Sequence, residues 1–208
     1  MKTTNFFIYQ GLRPIFISLV VFLVLFFLNI SFLALFAFLS LIFFVIFFLN
    51  PEREPEEEDS LSIISPIDGK ILKIVSSNNG VDIVISNFLT DPHIIRSPFD
   101  CTLKSIKATK GLNLPLSSKL ARKLNNQLEI IFEKNGQEFS LHLTNSSIKI
   151  KNHIFIKDKK EIKMSKRIAF FSSGEATFSC PKNVNLKISE GSNLKAGESL
   201  IGFINNEQ

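Results

Sequence analysis

The sequence is poor in the residues that metal or thiol chemistry needs. It has two cysteines, Cys101 and Cys180, at no metal-ligand spacing and in no CxxC pair. No metal is therefore expected, and the plain reading is a reduced domain with buried thiols. Tryptophan is absent. Charge is absent from one whole stretch: between Pro14 and Pro51 there is no Asp, Glu, Lys or Arg. The net charge of +5 comes without a basic stripe interleaved with aromatics. Nucleic acid is thus not an expected partner, and either a merely soluble, lysine-rich composition or attraction to anionic lipid headgroups suits the lysine excess better. No small-residue cleavage site follows the apolar run, which argues against a signal peptide.

What is present divides the chain in two. Residues 15–49 are almost wholly Phe, Leu, Ile and Val. That run exceeds the roughly 20 residues of one untilted crossing. Its most polar point, Asn29-Ile30-Ser31, splits it into expected spans at about 15–28 and 32–49, a transmembrane α-helical hairpin within 1–50. Lys2 and Arg13 before it and Arg53 after it put both ends in the cytoplasm. The expected location is therefore the cell (inner) membrane, with the soluble domain facing the cytoplasm. Residues 51–60, PEREPEEEDS, form a charged, Pro-containing linker.

From 61 to 208 the pattern is short β runs between turns. Strands are expected at 61–65, 71–75, 81–88, 103–108, 128–133, 139–144, 148–156, 169–171, 176–179, 184–188 and 200–204, with a helix only at 117–123. The fold class is mostly β, an antiparallel barrel or sandwich. Two segments, 65–71 and 184–198, enter strands through Pro, Asp and Gly turns. Both resemble the hammerhead strands of lipoyl- and biotinyl-type domains, although no modifiable Lys sits in a suitable hairpin.

Three phrases can carry chemistry. Phe170-Phe171-Ser172-Ser173-Gly174-Glu175 is a Ser/Gly turn between strand-like runs. Ser65-Pro66-Ile67-Asp68-Gly69 places Asp68 in a tight turn, where an Asp either caps the turn or orients a base. Asp91-Pro92-His93-Ile94-Ile95-Arg96-Ser97-Pro98 supplies a histidine, which exchanges protons near neutral pH, and an arginine able to grip a carboxylate or phosphate. His142 and His153 alternate with apolar residues and read as packing or surface positions.

Taken in order behind the membrane segment, these phrases resemble phosphatidylserine decarboxylases of the short form. Phe47-Phe48-Leu49-Asn50-Pro51-Glu52-Arg53 resembles the end of that family's hairpin, Lys110-Gly111-Leu112-Asn113 a later glycine turn, and 184–204 the closing strands. The resemblance implies a lyase of phospholipid biosynthesis that converts phosphatidylserine to phosphatidylethanolamine. It implies a proenzyme that cuts itself before a serine and turns that serine into a pyruvoyl group, an electron sink for decarboxylation. Ser173 is the implied pyruvoyl precursor, with the cut at Ser172–Ser173 and either serine open as the cut point, His93 and Asp68 assisting, and Arg96 binding the headgroup. The implied partners are a membrane phospholipid and the bilayer; a homo-oligomer or a heterodimer of cut fragments is the implied assembly.

The chain departs from the pattern in several places, among them Gly174, where the family often has Arg or Thr, and one extra residue before Pro181. Ser172 replaces the family's Gly, where a strained backbone would make a Cβ costly. Cys101 also replaces a Gly, the Asn-rich phrase near Asn125-Asn126 is not intact, and the family's Gly- and Arg-containing strand is not recognisable in 139–156. Two other readings therefore stand beside the enzyme: an uncut, inactive homologue that binds lipid or a protein, and a membrane-anchored lipoyl-like adaptor. The adaptor would need a long helical hairpin within 70–183, where β runs stand instead.

Overall fold

The structure is a computed structural model that describes residues 9–48, 50–78, 80–118, 120–147, 152–156 and 160–205. It separates into two compact units, a helical one that runs to Glu52 and includes Leu89–His93, and a β one formed by Arg53–Phe88 and the chain from Ile94 onward.

The helical unit is a pair, α1 (Tyr9–Phe27) and α2 (Ser31–Phe47). The chain reverses at Asn29, whose φ of 58° is left-handed. Asn29 N–H donates to the Phe26 carbonyl at 3.1 Å and Ile30 N–H to the Leu25 carbonyl at 3.0 Å, the Schellman arrangement that an Asn tolerates after a helix end. Phe22 of α1 meets Phe38 of α2 with ring centroids 5.4 Å apart. Among the described residues, no helix is long and apolar enough to cross a membrane. The 17 residues of α2 rise about 26 Å and the 19 of α1 about 28 Å, against a hydrocarbon layer of about 30 Å. The expected helical hairpin forms, while the transmembrane spans expected at 15–28 and 32–49 are not supported by the described helices.

The β unit has fourteen strands among its described residues. Eight build one antiparallel sheet: β2 (Gly69–Ser77), β3 (Gly80–Asn87), β5 (Cys101–Thr109), β6 (Gln127–Lys134), β7 (Gln137–Asn145), β9 (Lys160–Ile162), β11 (Gly174–Pro181) and β13 (Asn193–Leu194). Their order is β13-β2-β3-β11-β7-β6-β5-β9. β1 (Ser62–Ile64), β12 (Val184–Leu186) and β14 (Leu200–Ile204) form a second sheet in the order β1-β14-β12. β4 (Ile94–Arg96), β8 (His153–Ile154) and β10 (Arg167–Phe170) form a third in the order β4-β10-β8.

Alternation sets which face is inside. Along β11 the residues Gly174, Ala176, Phe178 and Cys180 are buried and their neighbours are not. Ile83 and Ile85 of β3, Ile130 and Phe132 of β6, and Phe139 and Leu141 of β7 join them in one core, completed by Ile63, Ile201 and Ile168 from the small sheets. The β6–β7 hairpin turns on Asn135-Gly136, both at positive φ, the backbone that a two-residue turn between right-twisted strands requires.

The fold is thus mostly β and antiparallel, as expected. The expected helix at 117–123 shrinks to a single turn, α3 (Ala121–Leu124). The expected strand at 148–156 survives as His153–Ile154, and its first four residues lie outside the described ones. Three short strands, β4, β9 and β13, were not expected.

Candidate active site

The Ser172–Ser173 bend is where the chain changes sheets. β10 ends at Phe170 in the small β4-β10-β8 sheet, and β11 starts at Gly174 in the centre of the large one. Phe170 and Phe171 anchor the bend in the interior, and Ser172 and Ser173 are buried with them. Ser173 has φ of 154°, a backbone that side chains rarely adopt and that costs about 1–3 kcal/mol. Gly174 follows at φ 149°, and a Cβ there would stand 2.0 Å from the Thr144 carbonyl oxygen of β7. The sequence reading placed the strain on Ser172. The structure moves it one residue on, so the Cβ of Ser172 in place of Gly is not the liability it was expected to be.

Two consecutive residues at the end of β7 grip both serines. The Asn145 side-chain amide donates to Ser172 Oγ at 2.9 Å. The Ser146 backbone N–H donates to the Ser173 carbonyl oxygen at 3.1 Å, and the Ser146 and Ser173 hydroxyls lie 2.9 Å apart. Asn145 is itself held. Its side chain exchanges hydrogen bonds with Asn152, at 2.9 and 3.2 Å, its N–H reaches the Asn126 carbonyl, and its carbonyl accepts from the Asn125 side chain at 2.9 Å. A buried polar chain in which each member is satisfied fixes the geometry of the group at its end.

Asp68 reaches the same end of the sheet from another side. Gly174 pairs across the sheet with Asn87 of β3, and the Asn87 side chain donates to the Asp68 backbone carbonyl at 2.9 Å. The Asp68 carboxylate takes the Arg53 guanidinium at 2.6 Å, with both side chains nearly buried. Arg53 also donates to the Ala196 carbonyl at 3.2 Å. Arg96 sits in β4, the strand beside β10, and its N–H donates to the Pro66 carbonyl in the turn that carries Asp68. Its guanidinium, itself buried, donates to the Ser165 carbonyl at 3.1 Å. Asp68, Arg96, Ser172 and Ser173 thus belong to one unit and one neighbourhood of backbone pairings.

His93 belongs to the helical unit, where its ring lies 4.4 Å, centroid to centroid, from that of Phe47. Burial drives its pKa down to about 4, against the opposite pull of a hydrogen bond to the Leu89 backbone. The expectation of a histidine titrating near neutrality is corrected: His93 is held as the neutral, proton-accepting imidazole. The two thiols are buried, and desolvation pushes both upward, Cys101 to about 11. Among the described residues no cluster of His, Cys, Asp or Glu could hold a metal.

The profile of the phosphatidylserine decarboxylase family matches residues 41–202, most of the chain. The chain belongs to the phosphatidylserine decarboxylase family. It is 27% identical over 214 residues to the phosphatidylserine decarboxylase proenzyme of Syntrophus aciditrophicus, covering 97% of this chain and 99% of that one. It is 25% identical over 175 residues to a Methanopyrus kandleri protein named "Putative archaetidylserine decarboxylase proenzyme", covering 76% and 81%. The phosphatidylserine decarboxylase proenzyme of Chlorobium limicola is 24% identical over 176 residues, covering 80% and 82%. No solved structure matches.

For this member of the family the sequence pointed to the serine bend and to the Asp68 turn, and missed what holds them. Asn145, Ser146 and Asn152 lie in the stretch where the family's pattern was not recognisable. The only local signal was the polar run Asn145-Ser146-Ser147 closing an apolar strand. Arg53 stood in the phrase ending the hairpin and was read only as a flanking charge.

Proposed function

We propose that the chain is made as a proenzyme, cuts itself between Ser172 and Ser173, and decarboxylates the serine headgroup of a membrane lipid. The observation that carries this is Ser173 itself: buried, at a strained φ of 154°, with its hydroxyl 2.9 Å from that of Ser146. In the cut, Ser173 Oγ attacks the carbonyl carbon of residue 172. The amide C–N bond breaks as the ester C–O bond forms, and the hydroxyl proton, relayed by the Ser146 hydroxyl, ends on the nitrogen of residue 173, which becomes a free amine. Elimination frees the carboxyl end of residue 172, and hydrolysis with loss of ammonia leaves a ketone at residue 173. Strain in the uncut backbone is relieved on cutting, which favours the forward direction.

The residues present fit a pyruvoyl group at 173. The Ser146 N–H already holds the carbonyl oxygen of that residue, and Asn145 holds the bend before it. When formed, a pyruvoyl ketone supplies the sink for the electron pair left by departing CO₂. Asp68 and its partner Arg53 form a fixed charged pair near the start of β11. We assign Arg96 to the anionic part of the headgroup, because a guanidinium matches phosphate or carboxylate in a bidentate fashion. We assign His93, kept neutral by burial, as the proton acceptor.

The hairpin suits a substrate that stays in the bilayer. Its outer surface exposes Phe16, Phe26, Phe27, Phe32, Phe36 and Phe43, and no charge interrupts it between Pro14 and Pro51. This surface fits attachment to a bilayer, which we place at the cytoplasmic face of the cell membrane. The pairing of Asn193–Leu194 with Gly69 and Lys70 supports the lipoyl-type hammerhead arrangement of the two glycine-turn segments.

The test is the intact mass of purified chain. A C-terminal fragment of 36 residues, 208 minus 172, appears with a blocked N-terminus and vanishes in Ser173→Ala. A chain that stays whole and releases no CO₂ from carboxyl-labelled phosphatidylserine refutes the enzyme and leaves the inactive homologue.

A further inference from the structure

The β unit carries an apolar patch that its core does not use. Leu112, Leu120 and Leu124 are exposed at 54%, 56% and 43%. They are neighbours: Leu124 N–H bonds the Leu120 carbonyl one helical turn back, and Leu112 N–H bonds the Leu124 carbonyl. All three lie in the connection between β5 and β6. That connection is one-signed: residues 110–126 include four basic residues and no acidic one. Lys110 and Lys123, beside the leucines, are exposed.

The connection is also tied to the serine bend at two points. Arg122 donates to Glu175, two residues after Ser173, at 2.8 and 2.9 Å. Asn125, the residue after Leu124, donates to the carbonyl of Asn145, which holds Ser172. An apolar patch flanked by exposed lysines and fastened to the reacting bend complements an anionic bilayer surface: acyl chains accept the leucines and headgroups the lysines.

We propose that Leu112, Leu120 and Leu124, with Lys110 and Lys123 beside them, form a lipid-docking loop that seats the bend on an anionic membrane. This rests on the reading that the substrate is a membrane lipid. The loop brings the headgroup layer to Ser173 independently of the hairpin, so attachment and presentation are separate tasks.

The absence of tryptophan gives a clean experiment. Full-length Leu120→Trp, Leu72→Trp and Phe27→Trp chains each carry one tryptophan, reporting on the loop, on an exposed position of β2, and on the hairpin. Each is mixed with vesicles of phosphatidylglycerol and brominated phosphatidylcholine. The expected result is a blue shift and bromine quenching at positions 120 and 27, and neither at 72. In vesicles of neutral lipid alone the quenching at 120 falls away. Because each basic residue near an anionic surface contributes about fivefold, Lys110→Gln with Lys123→Gln lowers the docked-to-undocked ratio of the loop about 30-fold.

Quenching at 27 without quenching at 120 overturns the docking loop and leaves the lipid reading standing. No quenching at either removes the lipid attachment and the loop with it. Equal quenching at 72 and 120, or at 120 in neutral and anionic vesicles alike, also overturns the proposal.

Discussion

Restoring the family's glycine at position 172 should harm this chain. The motif alone predicts the reverse, since Ser172→Gly would relieve strain before the cut. But Ser172 is not among the residues at positive φ, whereas Ser173 is. There is no strain at 172 for glycine to release. The substitution instead deletes the hydroxyl that accepts the Asn145 amide at 2.9 Å in a buried site. That bond is worth about 1 kcal/mol, and Asn145 keeps its second acceptor on Asn152, which limits the loss. Glycine adds about 0.5–1 kcal/mol of lost backbone entropy. The sum is about 1.5–2 kcal/mol of destabilisation. It is measured by urea unfolding in a Ser173→Ala background, so that only uncut chain is compared. A cycle with Asn145→Ala should return a coupling of about 1 kcal/mol, since the two residues share one bond. In the cutting-competent chain, Ser172→Gly should slow the appearance of the C-terminal fragment. Asn145→Ala should also raise the share of fragments that begin with free serine rather than a blocked end, heavier by one ammonia, which general loosening of the fold would not do. An unfolding midpoint equal to or above that of the parent, or faster cutting, refutes the assignment of strain to Ser173.

Three further outcomes follow from the geometry. Gly174→Ala forces a Cβ to within 2.0 Å of the Thr144 carbonyl oxygen and should cost at least about 2–3 kcal/mol, visible as a lowered melting temperature and loss of soluble chain. Folded His93 takes its proton only near pH 4 and an unfolded histidine near 6.5, so the unfolded chain binds more protons between them. Stability is therefore complete above about pH 6.5 and falls by up to about 3 kcal/mol toward pH 4, and His93→Phe removes that slope from urea midpoints measured across the range. Arg53→Ala leaves the Asp68 carboxylate without its 2.6 Å partner in a buried setting and should cost about 3 kcal/mol, whereas Arg53→Ala with Asp68→Asn should recover part of it.

The β runs were legible because alternation over eight residues, as in β3, β6 and β11, is a strong signal of a half-buried strand. β4, β9 and β13 have two or three residues, too few for any period to show. The serine bend and the Asp68 turn were legible as phrases, yet their meeting at one sheet end depends on Asn87, which looks like any strand-ending Asn. The clamp of Asn145, Ser146 and Asn152 left no trace beyond the polar run 145–147, because partners 27 residues apart impose no periodicity on the chain. The sign of φ at Ser173 follows from β11 being pinned between two neighbours, which no local composition encodes. The hairpin was legible from the missing charge, and its turn from Asn29. Where its two helices begin and end was not.

The position of β11 has a consequence for what happens after a cut at 173. A piece starting there takes β11 with it, and β11 lies between β3 and β7 along nearly its whole length. The same piece supplies β12 and β14, which close over β1. Two polypeptides would then share one interleaved sheet, dovetailed like a joint that cannot slide apart. Maturation would be a one-way act, and neither half could be exchanged for a fresh copy without taking the whole β unit to pieces.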